Sequence, residues 1–269
     1  MFFARAAPGS TPQPGGQRSL PPTAIIMRFS PGSYLVAGST GAIGKALVRT
    51  LLAGGARPVL LGRNAEAMAA QSSEMGGLEF RVADLTNPEA VGPALADLPA
   101  DLKGVAYAAG SVTLKPLRAA KPEDYVTSFA LNAVSAAEVV KATAPALKKN
   151  QGSVVLFSSV AVQSGFSNHA VISASKGAVE GLTRALSAEL APNVRVNCVA
   201  PSLTHTSAMS AQLTQNEKTA AAIAAAHAIP RLGAPEDSSE LAAFLLSESA
   251  GWMTGQVIGV DGGRSTVLR

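Results

Sequence analysis

The segment Val36-Ala37-Gly38-Ser39-Thr40-Gly41-Ala42-Ile43-Gly44 sets three glycines three residues apart, between an apolar run and a helical pattern. This spacing suits a phosphate cradle. Gly38 permits a tight turn, Gly41 lets backbone approach a pyrophosphate, and Gly44 lets the following helix pack closely on a sheet. The contact set is then Gly38, Ser39, Thr40, Gly41, Ile43 and Gly44, with the phosphates on unpaired N–H groups at the positive end of the helix dipole. The plain alternative is an ordinary strand-to-helix turn. A second feature refines the ligand. In Leu60-Leu61-Gly62-Arg63-Asn64, an acid at the strand end would bond the adenosine ribose of NAD. Arg63 offers instead a planar fork suited to a 2′-phosphate, so NADP(H) is the expected cofactor. The alternative for Arg63 is a surface arginine at a strand end.

These residues need a scaffold, and the chain alternates short β-branched runs with helical stretches from Tyr34 onward. That pattern predicts βαβ units around a parallel sheet. Strands are expected at 34–37, 58–61, 79–82, 104–108, 153–157, 194–199 and 256–260. Helices are expected at 43–52, 65–73, 88–95, 122–149, 170–190 and 237–246, with an extra Ala-rich helix at 215–228. Asn87 followed by Pro88 is an N-cap signal, and Gly54 is placed to end the first helix. Neither an internal repeat nor a domain linker is visible.

Later segments resemble the short-chain dehydrogenase/reductase family from residue 34 to about 263. The glycine turn is similar to its TGxxGxxG variant, with Ala37 in place of threonine. The resemblance implies a Rossmann-type doubly wound α/β fold with a seven-stranded parallel sheet in the order 3-2-1-4-5-6-7. Ala83-Asp84-Leu85-Thr86 resembles the adenine contact, which implies that Asp84 accepts from the adenine amine and Leu85 packs on the ring. Tyr107-Ala108-Ala109-Gly110 matches the NNAG motif only at Ala109 and Gly110. Leu131-Asn132 resembles the family's helix asparagine, and the strand ending Phe157-Ser158-Ser159 resembles the one that carries the catalytic serine. Arg195 to Pro201, then Thr204 and Thr206, resembles the nicotinamide-side strand and loop, although Ser202 stands where glycine is usual. The segments Arg231-Leu232-Gly233-Ala234-Pro235-Glu236-Asp237 and Val260-Asp261-Gly262-Gly263 match the family's C-terminal motifs.

The family's YxxxK pair reads here Ile172-Ser173-Ala174-Ser175-Lys176. In the family, the lysine grips the cofactor ribose and lowers the phenol's pKa, while the phenol exchanges a proton with substrate. Ile172 cannot carry a proton; Lys176, Ser159 and Asn132 remain. Three readings follow. The chain is a noncatalytic nucleotide-binding scaffold; or His169 replaces the acid; or an alkene or imine substrate takes its proton from water or a weak donor. His169 lies seven residues before Lys176, the interval that separates tyrosine and lysine in the enoyl-acyl-carrier-protein reductase branch, and imidazole donates protons near neutrality. Its alternative role is a helix-entry residue. His205, in the loop after the sixth strand, is a further candidate for the border of the substrate pocket.

Composition bounds the rest. The 269 residues are 47% hydrophobic and 15% charged, as expected of one large α/β domain. Residues 1–32 read as a separate leader: Pro8, Pro12, Pro14, Pro21, Pro22 and Pro31 interrupt it, and no acid precedes Glu66. Either it is an organelle transit segment, for plastid stroma or mitochondrial matrix, or Met27 is the true start and the protein is cytoplasmic. Arg5, Arg18 and Arg28 hold most of the net charge of +4, so residues 33–269 lack the clustered basic face of a nucleic-acid binder. No apolar run spans a bilayer, and no metal-ligand spacing is present. Lone Cys198 reads as a small apolar strand residue. The expected partners are a small-molecule substrate and further copies of the chain, as homotetramer or homodimer: Gly177, Ala178, Gly181 and Ala185 make a small-residue stripe, and the family packs this helix on a neighbouring subunit. Internal packing would explain the stripe equally well.

Overall fold

Each apolar run is followed by a helix that carries the chain back across the sheet, so successive strands pair in parallel. The computed structural model describes residues 27–205 and 216–267. Its strands are β1 (Ser33–Ala37), β2 (Arg57–Gly62), β3 (Phe80–Val82), β4 (Leu102–Tyr107), β5 (Ser153–Phe157), β6 (Arg195–Pro201) and β7 (Val257–Val260). They form one sheet in the order β3-β2-β1-β4-β5-β6-β7, parallel throughout. The expected architecture is therefore observed. The described helices are α1 (Ala42–Ala53), α2 (Ala65–Glu74), α3 (Val91–Ala94), α4 (Pro122–Phe129), α5 (Ser135–Asn150), α6 (Ala170–Leu190), α7 (Glu217–Ala225) and α8 (Pro235–Leu246).

Side chains alternate across a strand, so each central strand feeds two cores. Leu35, Val105, Val154 and Val196 pack with Val139 and Leu147 of α5 and Val179 of α6. Tyr34, Val36, Ala106, Val155 and Val199 pack on the other face with Leu47 and Leu51 of α1 and Ala242, Leu245 and Leu246 of α8. Cys198 is buried in the first of these layers, where burial pushes its thiol up to about 12. It behaves as an apolar residue.

Three segments differ from expectation. The stretch expected as a helix at 88–95 is a 3₁₀ turn, Pro88–Ala90, running into the single turn of α3, with Asn87 capping the Glu89 N–H at 3.2 Å. The stretch expected at 122–149 is α4 and α5 joined by a π-helical turn, Ala130–Val134. The wider turn frees carbonyls that need other donors. Asn132 Nδ2 donates to Ser128 O at 2.9 Å, and the Tyr107 hydroxyl donates to Leu131 O at 2.6 Å. Finally, the fold does not wait until residue 33. Met27 and Phe29 pack against the α1/α8 core, Phe29 meets Tyr34 edge-on at 5.6 Å, and Ser30 bonds Glu248 at 2.7 Å. Two apolar side chains next to the proline-rich text outweigh its composition. Residues 1–26 lie outside the described chain. Among the described residues, no helix is long and apolar enough to cross a membrane.

Tyr107 is buried, and its phenol serves the π turn rather than solvent. Tyr107→Phe leaves the Leu131 carbonyl without that donor and is expected to cost about 1–2 kcal/mol. Urea unfolding with a lowered midpoint and an unchanged slope is the expected result.

Candidate active site

The strand order reverses between β1 and β4, which opens a crevice at their C-terminal ends. The glycine turn fills the near wall. Gly38 has φ +77°, and a Cβ there would lie 2.6 Å from Ala109 N, so only glycine lets the turn cross the end of β4. A Cβ on Gly44 would collide with the Gly38 carbonyl. The close approach is thus between the helix and the turn, where packing on the sheet was expected. Gly41 begins α1 with no side chain capping the helix, leaving first-turn N–H groups for an anion. Thr40 and Gly41 are exposed there and Ile43 is half-buried. Ser39 is different: the whole residue is buried, its hydroxyl donating to Gln71 Oε1 at 3.1 Å and its carbonyl accepting from Gln71 Nε2 at 2.9 Å.

Arg63 follows β2, exposed, its side chain without a hydrogen bond or ion pair among the described residues. Asp84 Oδ1 accepts from the Thr86 N–H at 3.0 Å and the Thr86 hydroxyl at 2.8 Å. Those bonds, with the charge of Arg63 a smaller influence, hold the Asp84 carboxyl below its ordinary range. Leu85 is buried in the core cluster that also holds Val91. Its carbonyl takes the Ser135 hydroxyl at 2.7 Å.

The far wall is built by β4, β5, α6 and the π turn. Lys176 is 8% exposed, and its Nζ donates to Phe157 O at 2.8 Å. Burial pulls its ammonium down to about 8. A Cβ on Gly110 would lie 2.8 Å from Asn132 Oδ1 and 3.3 Å from Lys176 Nζ, so Gly110, Asn132 and Lys176 converge on one small volume. Asn132 Oδ1 is buried without a hydrogen-bond partner among the described residues. Ala109 packs beside them on the core. Ser159 caps a 3₁₀ turn, Val160–Val162, its oxygen accepting from Ala161 N at 3.2 Å, which leaves its O–H proton to donate. Ile172, one turn before Lys176, is fully buried.

His169 stands at the entry to α6. Its Nδ1 bonds Ser167 O at 2.7 Å, and its ring lies 5.3 Å from that of Phe166. Since a carbonyl only accepts, Nδ1 carries a proton and Nε2 is the free ring position. The preceding Asn168 has φ +67°, a conformation asparagine tolerates, and its carbonyl holds Lys115 N at 3.0 Å. Pro201 ends β6. Thr204 is buried and bridges Gly233, while Thr206 lies outside the described residues. His205 lines a cleft of about 380 Å³ with Thr40, Lys45, Arg49 and Glu236. That places it by the phosphate turn.

Several polar residues escaped the sequence. Ser128 and Ser175 share a buried hydrogen bond of 2.9 Å behind Asn132, joining α4 to α6. Buried Glu180 takes the Ser158 hydroxyl at 2.9 Å. His227 is buried with both ring nitrogens engaged, Nε2 with Ser202 Oγ and Nδ1 with Ile223 O, each at 2.8 Å. The only hint of that last pair was the serine at position 202.

Comparison with known proteins decides the family. Residues 37–265 match the family model described as "Enoyl-(Acyl carrier protein) reductase". The chain belongs to the short-chain dehydrogenase/reductase family. It is 32% identical to bovine L-xylulose reductase over 243 residues, covering 88% of this chain and 98% of that protein. It is 31% identical over 230 residues to "Inactive 2-(S)-hydroxypropyl-CoM dehydrogenase 2" of Xanthobacter autotrophicus, covering 82% of this chain and all of the relative. Among solved structures, a gluconate 5-dehydrogenase from Burkholderia cenocepacia in complex with NADP and tartrate superposes with a TM-score of 0.84 at 25% identity, covering 90% and 98% of the two chains.

A nicotinamide dinucleotide fits these residues. The uncapped start of α1, the close crossing at Gly38 and the unpartnered Asn132 oxygen beside Lys176 line one crevice.

The burial of Lys176 also makes a thermodynamic prediction. Below about pH 8 the folded state bears the cost of a desolvated ammonium. Between pH 8 and the ordinary lysine value the folded amine is neutral while the unfolded chain still binds the proton, so stability rises with pH across that window. Relative to Lys176→Met, the wild type should gain stability from pH 7 to 9.5 in chemical denaturation; a flat difference would contradict the burial.

Proposed function

We propose that the chain is an NADP(H)-dependent oxidoreductase that reduces a small carbonyl, enone or imine with a proton donor other than tyrosine. One observation carries this reading: Lys176 Nζ, the unpartnered Asn132 oxygen and Gly110 converge on one buried volume. In this reading Gly38, Thr40, Gly41, Ile43 and Gly44 hold the phosphates, and unpaired Arg63 takes the 2′-phosphate. Asp84, Leu85, Ala109, Gly110, Pro201, Thr204 and Thr206 complete the binding groove. When bound, the nicotinamide supplies the hydride.

The chain's own groups do the rest. Lys176 donates to the nicotinamide ribose, and Asn132 Oδ1 accepts from a water behind the lysine. Ser159 donates its free O–H to the polar atom of the substrate. Protonated His169 keeps its Nδ1–H on Ser167 O and gives up the proton on Nε2. His169 lies about 10 Å from Lys176 along the helix axis, two turns away on the same face. We also propose self-association as a homotetramer or homodimer; Gly181 and Ala185 on α6 face away from the core.

A second reading is favoured by the full burial of Ile172 and by a relative whose name calls it inactive. In it, the chain binds NADP(H) and acts through partners without turnover.

Fluorescence titration should show NADPH binding more tightly than NADH, and Arg63→Ala should erase most of that preference; equal binding by the wild type would refute the cofactor assignment. Across a panel of carbonyls and enones, His169→Ala should slow NADPH oxidation at least about tenfold. Unchanged turnover would remove His169 from the mechanism, and complete inactivity with NADPH bound would favour the second reading. Ile172→Tyr should gain ketone reduction if the remaining geometry is intact.

A further inference from the structure

The end of α7 is a fixed point, because His227 is buried and bonded through both nitrogens to Ser202 on the exit of β6 and to Ile223 within the helix. The next carbonyl back, Ala226 O, accepts from Arg264 Nη1 at 2.9 Å. Arg264 comes from the turn that follows β7, and that turn is itself stiff. The Asp261 carboxylate accepts from Gly263 N at 2.9 Å, from Ser265 N at 2.8 Å and from the Ser265 hydroxyl. Ile229 N closes the junction by donating to Gly262 O at 2.9 Å. From this anchorage the Arg264 guanidinium lies 5.2 Å from the centroid of the Phe166 ring, and Phe166 in turn packs on the His169 ring at 5.3 Å.

We infer that Arg264 is a positioning residue: it fixes the Phe166–His169 ring pair to the end of α7 and so orients the imidazole at the entry to α6. The inference deepens the proposed function and rests on its reading of His169. A guanidinium suits this task better than an ammonium. Its plane covers an aromatic face while its edge still donates to a carbonyl. The Ser167 carbonyl sets which His169 nitrogen is free, and the ring contact sets where that nitrogen points.

The test uses the full chain with Arg264→Ala, Arg264→Lys, His169→Gln and the Arg264→Ala/His169→Gln double variant. Sequence holds three histidines, so their imidazole resonances are separable by NMR, with His169→Gln assigning its own. Arg264→Ala should displace the His169 resonance and leave NADPH affinity within about twofold, with Arg264→Lys restoring part of the wild-type position, since only the charge over the ring survives. With a turned-over substrate, Arg264→Ala should lower kcat about tenfold with little change in KM, and should cost nothing further in the His169→Gln background. An unmoved His169 resonance in Arg264→Ala would overturn the proposal, as would an equal loss of kcat in both backgrounds. If His169→Gln leaves kcat intact, the donor assignment fails by itself, and the resonance still decides the role of Arg264. Should Arg264→Ala fail to fold, Arg264→Met keeps the aliphatic stem and carries the same measurement.

Discussion

A primary amine enclosed by protein must find acceptors or give up its proton, and much of this crevice is arranged around that requirement. Among the described residues Lys176 has one acceptor, the last carbonyl of β5, and no carboxylate. Its remaining donors face the volume bounded by Gly110 and Asn132. Any side chain on Gly110 would fill that volume, and any ordinary α-helical register at Asn132 would turn the amide elsewhere. The lysine's environment is therefore the common product of a glycine in the loop after β4, a π turn between α4 and α5, and the depth at which α6 lies on the sheet.

The π turn shows how such an arrangement is sustained. Widening the helix at Ala130–Val134 presents Asn132 to the crevice but disturbs the regular backbone ladder. The displaced groups are satisfied from two directions: by Asn132 itself, through Ser128 O, and by the phenol of Tyr107 rising from β4. Ser128 then reaches Ser175 on α6, one residue before the lysine. Position 107, which departs from the family motif, thus supports position 132, which keeps to it. A change at either would be felt at the amine.

Most of the fold was legible because its signals are local. Alternating β-branched runs and helical stretches fixed the strand sequence, and the glycine spacing located the crevice. Gly38 and Gly44 are constrained by backbone collisions that only glycine avoids. What was not legible depends on where distant groups meet. Tyr107 looked like a mismatch because its partner is a carbonyl exposed by a helix irregularity that sequence does not encode plainly. The Ser128–Ser175 and Ser202–His227 pairs span 47 and 25 residues. Ser39 and Leu85 stand at expected positions, yet their side chains turn into the protein, since a motif gives the backbone path and packing chooses the rotamer. The early boundary shows the converse error. Composition marked residues 27–32 as leader, but Met27 and Phe29 had a hydrophobic surface within reach.

Helix α8 shares with α1 the cover of one face of the sheet, yet it is among the last elements of the chain. Ala242, Leu245 and Leu246 seal Tyr34, Val36, Val155 and Val199, and Arg195 and Ser153 fasten its final turn through the carbonyls of Leu245 and Leu246. During synthesis, β1, β4, β5 and β6 leave the ribosome well before their cover does. Part of the apolar surface of these parallel strands then stays uncovered until the last eighth of the polypeptide emerges, so this face is the later of the two to close.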